Sequence, residues 1–395
     1  MLIIFIAISI IAILLTKGLT LTERITEFSR GAGHKNMLLM VWIFILAGAF
    51  ASSAKSMGAV EATVNLTLEI LPTQFLLAGL FISACIVSLC MGTSVGTIVA
   101  LMPIAAALAD KTDMSVALMA ASIVSGAFFG DNLSFISDTT IVATQSQGCK
   151  PSDKFRFNFF MVLPAALAVM LIYLFMGSST NEVISGQVMW WKIIPYAAVL
   201  VLATYGMNVM IVLLMGILLT GIVGISDGSY TFLEWTKSIT TGVMGMGELI
   251  LISMMAGGIF ALITHQGVMN RIVQFITNNV RTRKGAELSI CATTAIANII
   301  TANNTVAILS IGDIAKNIAK RFDIDPRRTA SLLDTTSCTV QGLIPYGAQM
   351  LMASGIAGVS ALNILPYLFY PMLIGLTVLI TILLPTTIKR INKKL

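Results

Sequence analysis

The chain has 395 residues, of which 57% are hydrophobic and only 11% charged, with a net charge of +6 and a mean hydropathy of +0.92. A soluble fold of this length cannot hide that much apolar surface. The basic residues lie scattered in short loops rather than gathered with aromatics on one face, which excludes a nucleic-acid partner and leaves an all-α polytopic membrane protein in the bilayer.

The run MLIIFIAISIIAILLT at 1–16 has no basic segment before it and no small-residue cleavage pattern after it, so a short retained helix is expected rather than a signal peptide. Further apolar segments fall at 36–57, 70–91, 95–110, 115–145, 154–176, 190–205, 207–224, 244–266, 286–301, 303–318, 329–355 and 363–386, which predicts about 10–13 membrane segments. Three are odd as straight rods. Segment 95–110 is short and carries Pro103, 303–318 begins polar, and 115–145 is too long for one helix and is expected to break at Gly130. Broken helices and re-entrant hairpins fit these better.

Lysine and arginine collect at 17–35, 150–156 (Lys150, Lys154, Arg156), 271–284, 316–328 (including Arg327 and Arg328) and 389–394. If each segment crosses once, all five clusters share a side. The positive-inside rule makes that side cytoplasmic, in an inner (plasma) membrane, with the N-terminus outside and the C-terminus inside. The five cysteines show no CxxC spacing and there are only two histidines, so neither disulfides nor a transition-metal centre is expected.

Laying the halves over each other gives a match of nearly constant offset. Gly58 falls on Gly267 at 209, GTIVAL from Gly96 on NTVAIL from Asn304 at 208, and Asp113 on Asp323 and Leu133 on Leu343 at 210. By the crossing count the copies enter the membrane from opposite sides. The expected organisation is therefore an N-terminal helix and loop (1–35), repeat 1 (36–176), connecting helices (177–243), an inverted repeat 2 (244–386) and a basic tail (387–395). Inverted repeats are the signature of alternating-access carriers, in which the repeats rock about a midplane site. No selectivity-filter-like run suggests a channel.

The chemistry concentrates in GDNLSFISDTT, 130–140. Asp131 and Asp138 stand two helical turns apart, about 10 Å along a helix, and a carboxylate at the bilayer centre is a functional candidate by default. With the hydroxyls of Ser134, Ser137, Thr139 and Thr140 they form a hard oxygen set suited to a proton or a small cation. Asp334, followed by two threonines, is a further cation-site candidate. TANNT (301–305) overlies GTSVGT (92–97), giving Thr93, Ser94, Thr97, Asn303, Asn304 and Thr305 at expected helix breaks; with Gln341, which overlies Asp131, they form a candidate second-ion or substrate site.

GDNLSFISDTT resembles the GD-x-x-SP-[IL]-SDTT signature of the NhaC-type Na+/H+ antiporter family, with Phe135 where that family has proline. SLLDTTSCTVQGLIPYGAQ resembles its downstream element, and the resemblance covers roughly 36–386. It implies a secondary carrier of the ion-transporter superfamily, not an enzyme. Na+ and H+ would be transported ions rather than cofactors, Asp131 would bind them alternately, and cytoplasmic Na+ would leave against external H+. The alternative is a Na+- or H+-coupled carrier of a small organic anion or amino acid. A homodimeric assembly stays open.

Overall fold

The computed structural model describes residues 2–177, 186–268, 271 and 280–384; the basic cluster at 389–394 lies outside the described residues. The first half holds α1 (Leu2–Leu15), α2 (Leu21–Ala32), α3 (Lys35–Met57), α4 (Ala59–Ile70), α5 (Leu76–Met91), α6 (Ser94–Thr112), α7 (Val116–Leu133), α8 (Asp138–Gln147) and α9 (Pro151–Gly177). Then come α10 (Trp190–Thr204), α11 (Val209–Ser226), α12 (Phe232–Gly245) and α13 (Gly247–His265). The last group is α14 (Arg283–Thr301), α15 (Asn304–Arg321), α16 (Pro326–Leu343), α17 (Ala348–Ala357), α18 (Ala361–Ile364) and α19 (Phe369–Leu383). Among the described residues there is no strand. Within the described residues, seven helical spans are long and apolar enough to cross a membrane, or eight if the bent pair at 326–357 and 361–367 counts as one; three further apolar helices there are shorter. The protein is a multi-pass, all-helical membrane protein.

The expected break in 115–145 exists, four residues beyond its expected place. Gly130 lies inside α7, and the chain unwinds at 134–137. Gly130 serves packing instead: a Cβ there would overlap Ser88 of α5, and one at Gly126 would meet the Ala84 methyl at 2.6 Å. Small residues at this spacing let two helices approach closely where lipid offers no hydrophobic drive. An apolar 18-residue stretch of the span Val116–Gln147 is 94% buried, so the polar residues within that stretch face protein rather than lipid.

The segmentation recurs 210 residues later. The bounds of α7 and α8 map onto those of α16 and α17, and the break at 134–137 maps onto 344–347. The left-handed residues Gly92, Asp113 and Gly148 map onto Ala302, Asp323 and Gly358. A side-chain bond recurs too: Ser88 Oγ donates to the Ala127 carbonyl at 2.6 Å, and Asn298 Nδ2, 210 further on, donates to the Ser337 carbonyl at 2.6 Å. The local overlay at 208 is off this register. Structurally Thr93 matches Asn303, since both are extended N-caps, at φ −149° and −147°.

The two halves do not form two bodies. One packing group joins α1–α3 to α11–α13, with α4 and α10 at its margin. The other interleaves α5–α9 with α14–α19, through α6 on α17, α8 on α15 and α16 on α7, α8 and α9. The groups meet lightly, chiefly through α4 on α6, α10 on α5 and α6, and α3 and α13 on α17. The interleaving joins the two halves where the expected rocking would have to part them. The natural division is a frame (α1–α4, α10–α13) and a core built from both halves.

Candidate functional site

Two serines shape the α7–α8 break, both extended at φ −66° and ψ 143°. The Ser134 hydroxyl donates to the Leu89 carbonyl at 3.2 Å. Ser137 caps α8 by accepting from Thr140 N–H at 3.3 Å. The carbonyls at the end of α7 have no helical partner and are met by side chains. Asp131 O accepts from Ser137 Oγ at 2.9 Å and from Thr140 Oγ1 at 3.5 Å. Asn132 O accepts from Lys154 Nζ at 2.8 Å and Asn158 Nδ2 at 3.0 Å. The break thus forms without the proline that position 135 lacks; Phe135 stacks on Phe155 instead, centroids 4.3 Å apart.

Asp131 is 4% exposed, and its Oδ1 accepts from Ser94 N–H, the first amide of α6, at 3.0 Å. Asp138 opens α8 and is exposed; an acid in the first turn complements the positive helix end. Both line a cavity of about 130 Å³ together with Thr139, the α5–α6 junction (Gly92–Val95), the α14–α15 junction (Asn303, Asn304, Thr305) and Gln349. Asn36, Leu39, Met40 and Ile43 of α3 form its frame-side wall. Residues expected in two separate sites therefore share one chamber.

The α14–α15 junction is neutral. Asn303 Oδ1 accepts from Val306 N–H at 3.0 Å and Asn304 Oδ1 from Thr305 N–H at 3.1 Å. Ala302 adopts the left-handed conformation at φ 50° that Gly92 adopts at 65°, a strain of about 1 kcal/mol or more for a residue with a Cβ.

Five expected site residues besides Asp334 stand behind this surface. Ser134, Ser137 and Thr140 spend their hydroxyls on the break. Thr97 donates to the Thr93 carbonyl at 3.0 Å within its own helix. Gln341 Nε2 donates to the Ala302 carbonyl and to Gln349 Oε1, both at 2.9 Å. From there Gln349 Nε2 donates to Ser94 Oγ at 3.0 Å, so an amide chain runs from the second break to the residue that holds Asp131.

Asp334 is fully buried and paired with Lys154 at 2.6 Å. Asn158 Nδ2 also donates to it at 3.3 Å, and Lys154 donates to Thr140 Oγ1 at 2.6 Å. Arg328 likewise is 1% exposed and bonds Glu287 at 2.8 Å. Two residues assigned by charge counting to cytoplasmic loops are thus interior ion pairs. Sequence reasoning missed Lys154, Asn158 and Gln349 as interior polar residues. The available signals were the spacing of four between Lys154 and Asn158, which puts them on one helix face, and the position of Gln349, 210 residues after Thr139.

Among the described residues no three His, Cys, Asp or Glu converge as a metal cluster. The chamber instead offers carboxylate, hydroxyl, amide and backbone oxygens, a donor set for hard cations. At about 130 Å³ it is well below the ~300–1,000 Å³ of pockets that enclose a drug-sized ligand.

Comparison with known proteins gives a match to the Na+/H+ antiporter family over residues 1–178 and 181–387. The malate-2H(+)/Na(+)-lactate antiporter of Bacillus subtilis (strain 168) is 24% identical over 88% of this chain and 81% of its own length. The Na(+)/H(+) antiporter NhaC of the same organism is 24% identical over 86% of this chain and 81% of its own. Among solved structures, the Alcanivorax borkumensis YdaH transporter covers 91% of this chain and 87% of its own at 12% identity, with a TM-score of 0.44.

Proposed function

The chain belongs to the Na+/H+ antiporter family, and from that premise we propose a secondary exchange of cytoplasmic Na+ for external H+ in which Asp131 is the shared binding group. The observation that carries this reading is the placement of Asp131. It is buried, lines a small oxygen-rich chamber and, among the described residues, has no basic side chain within hydrogen-bond reach.

The chemistry follows from the cost of burying charge. An unneutralised carboxylate at the membrane centre costs roughly 2.5–3.5 kcal/mol on insertion scales. A proton removes that cost, and so does a sodium ion held by Asp131 with oxygens from Thr93, Ser94 and Thr139. The bare site is the disfavoured one, so the core crosses loaded with one ion or the other. That is coupling by competition. Asp138, exposed at the chamber's edge, draws cations in and hands protons to Asp131.

The packing suggests which parts move. The chamber's ion-binding walls all belong to the interleaved core, while α3 of the frame closes its remaining side. Displacement of the core along α3 would open the chamber alternately to either face, replacing the rocking of repeats. The 210-residue recurrence of helix bounds supports an inverted duplication behind that symmetry.

Proteoliposomes with an internal pH dye test the reading. Challenge with Na+, Li+ and K+ should drive proton movement with Na+ in the absence of any organic solute. No sodium-driven proton flux, together with uptake of a labelled dicarboxylate or amino acid, would overturn it.

A further inference from the structure

Lys154 is an interior lysine that the exchange cycle above does not use. Its side chain is 0% exposed, and its ammonium bonds three oxygens: Thr140 Oγ1 at 2.6 Å, Asp334 Oδ2 at 2.6 Å and Asn132 O at 2.8 Å. They come from three places, the C-terminal end of α7, the first turn of α8 and the middle of α16. A lysine ammonium has three protons, and each has one acceptor here.

A carboxylate oxygen, a hydroxyl and a freed helix carbonyl form the same kind of nest that a hard monovalent cation uses. The carbonyl exists only because α7 unwinds, and the negative end of α7 adds to the pull on a positive charge. Among the described residues, Asp334 Oδ1 and Asn158 Oδ1, both buried, have no hydrogen-bond partner, so the nest holds acceptor capacity that a single ammonium does not exhaust.

We infer that Lys154 is a tethered counter-cation seated in what would otherwise be a second sodium site, and that it withdraws Asp334 from ion exchange. This rests on the reading of Asp131 as the exchange site. The fixed charge never leaves, so Asp334 stays neutralised through the cycle and the exchangeable negative charge is that of Asp131 and Asp138. Lys154 is a positioning residue: it clasps the two ends of the α7–α8 break to α16, and through the break it sets where Asp131 stands. Methionine in its place is of similar length and carries no charge. That substitution frees the three oxygens while leaving the aliphatic packing largely intact.

The test is equilibrium binding of radioactive sodium to the purified full chain at about pH 8.5, with Lys154→Met, Lys154→Met/Asp334→Asn and Asp131→Asn beside the unaltered protein. Lys154→Met should bind one more sodium per chain than the unaltered protein, and the double variant should lose that extra ion while keeping the original one. An unchanged count in a folded Lys154→Met overturns the inference. If Lys154→Met does not fold, the double variant decides, since it leaves no unpaired buried charge. Sodium binding within about threefold of the unaltered protein supports the inference, and its loss in a folded double variant shows Asp334 to be a ligand of the transported ion. Asp131→Asn judges the exchange site separately: sodium binding retained there defeats the proposed function without touching the count in Lys154→Met.

Discussion

The broken helix 116–147 and its counterpart 326–357 unwind at matching places, 134–137 and 344–347, yet they differ where chemistry is concerned. At matching positions the first carries Asp131 and Thr139, and the second carries Gln341 and Gln349. The acid faces the chamber and accepts from the first amide of α6. Its amide counterpart turns back to the Ala302 carbonyl and to Gln349. The two helices break in the same way, but only the first carries an acid beside its break that lines the chamber; Asp334 of the second is paired with Lys154 behind it. The second supports the first, through a chain of amides that ends on Ser94.

The sharpest way to break this comparison is to move the acid. Asp131→Asn should lower sodium-driven proton flux on the order of 100-fold, and adding Gln341→Asp should not restore it, because position 341 does not line the chamber. Rescue by the second substitution would show the two breaks to be chemically equivalent. Next in size is pH. Since protons and sodium compete for one carboxylate, protonation disfavours sodium. Below the site's pKa each unit of acidification should raise the half-saturating sodium concentration by up to about tenfold, with the maximal rate at saturating sodium unchanged. A maximal rate that falls while half-saturation stays constant would point to separate sites.

Smaller effects test the support. Gln349→Ala removes the link between the two breaks and should cost roughly three- to fivefold in flux, about 1 kcal/mol, read from initial rates at subsaturating sodium. Ser137→Ala removes the cap of α8 and one partner of the Asp131 carbonyl. It should lower stability by about 1 kcal/mol, seen as a drop in melting temperature, with only a slight change in sodium affinity.

Much of this was legible in the sequence because it rests on local rules. Apolar runs mark helices, and an acid inside one marks a site. Asp131, Asp138, Thr139, Thr93, Ser94 and Asn303–Thr305 do line one chamber. What stayed hidden depended on tertiary partners. Gly130 suggested a break from its residue type, but its smallness serves the approach of α5, and the break falls to the serines. Lys154 and Arg328 counted as loop charges because a sequence does not show the acid that meets each of them inside. How the two halves pack was hidden for a similar reason. A repeat in sequence says that two folds match, not that each packs with itself, and here the copies interleave.

The most direct measurement is proton release on sodium binding, recorded with a pH dye in weakly buffered solution of the purified protein. The unaltered chain should release protons when sodium is added and take them up when it is removed, while Asp131→Asn should release none and Gln341→Ala should match the unaltered chain. Proton release of unaltered size from a folded Asp131→Asn would contradict the assignment of exchange to the acidic break.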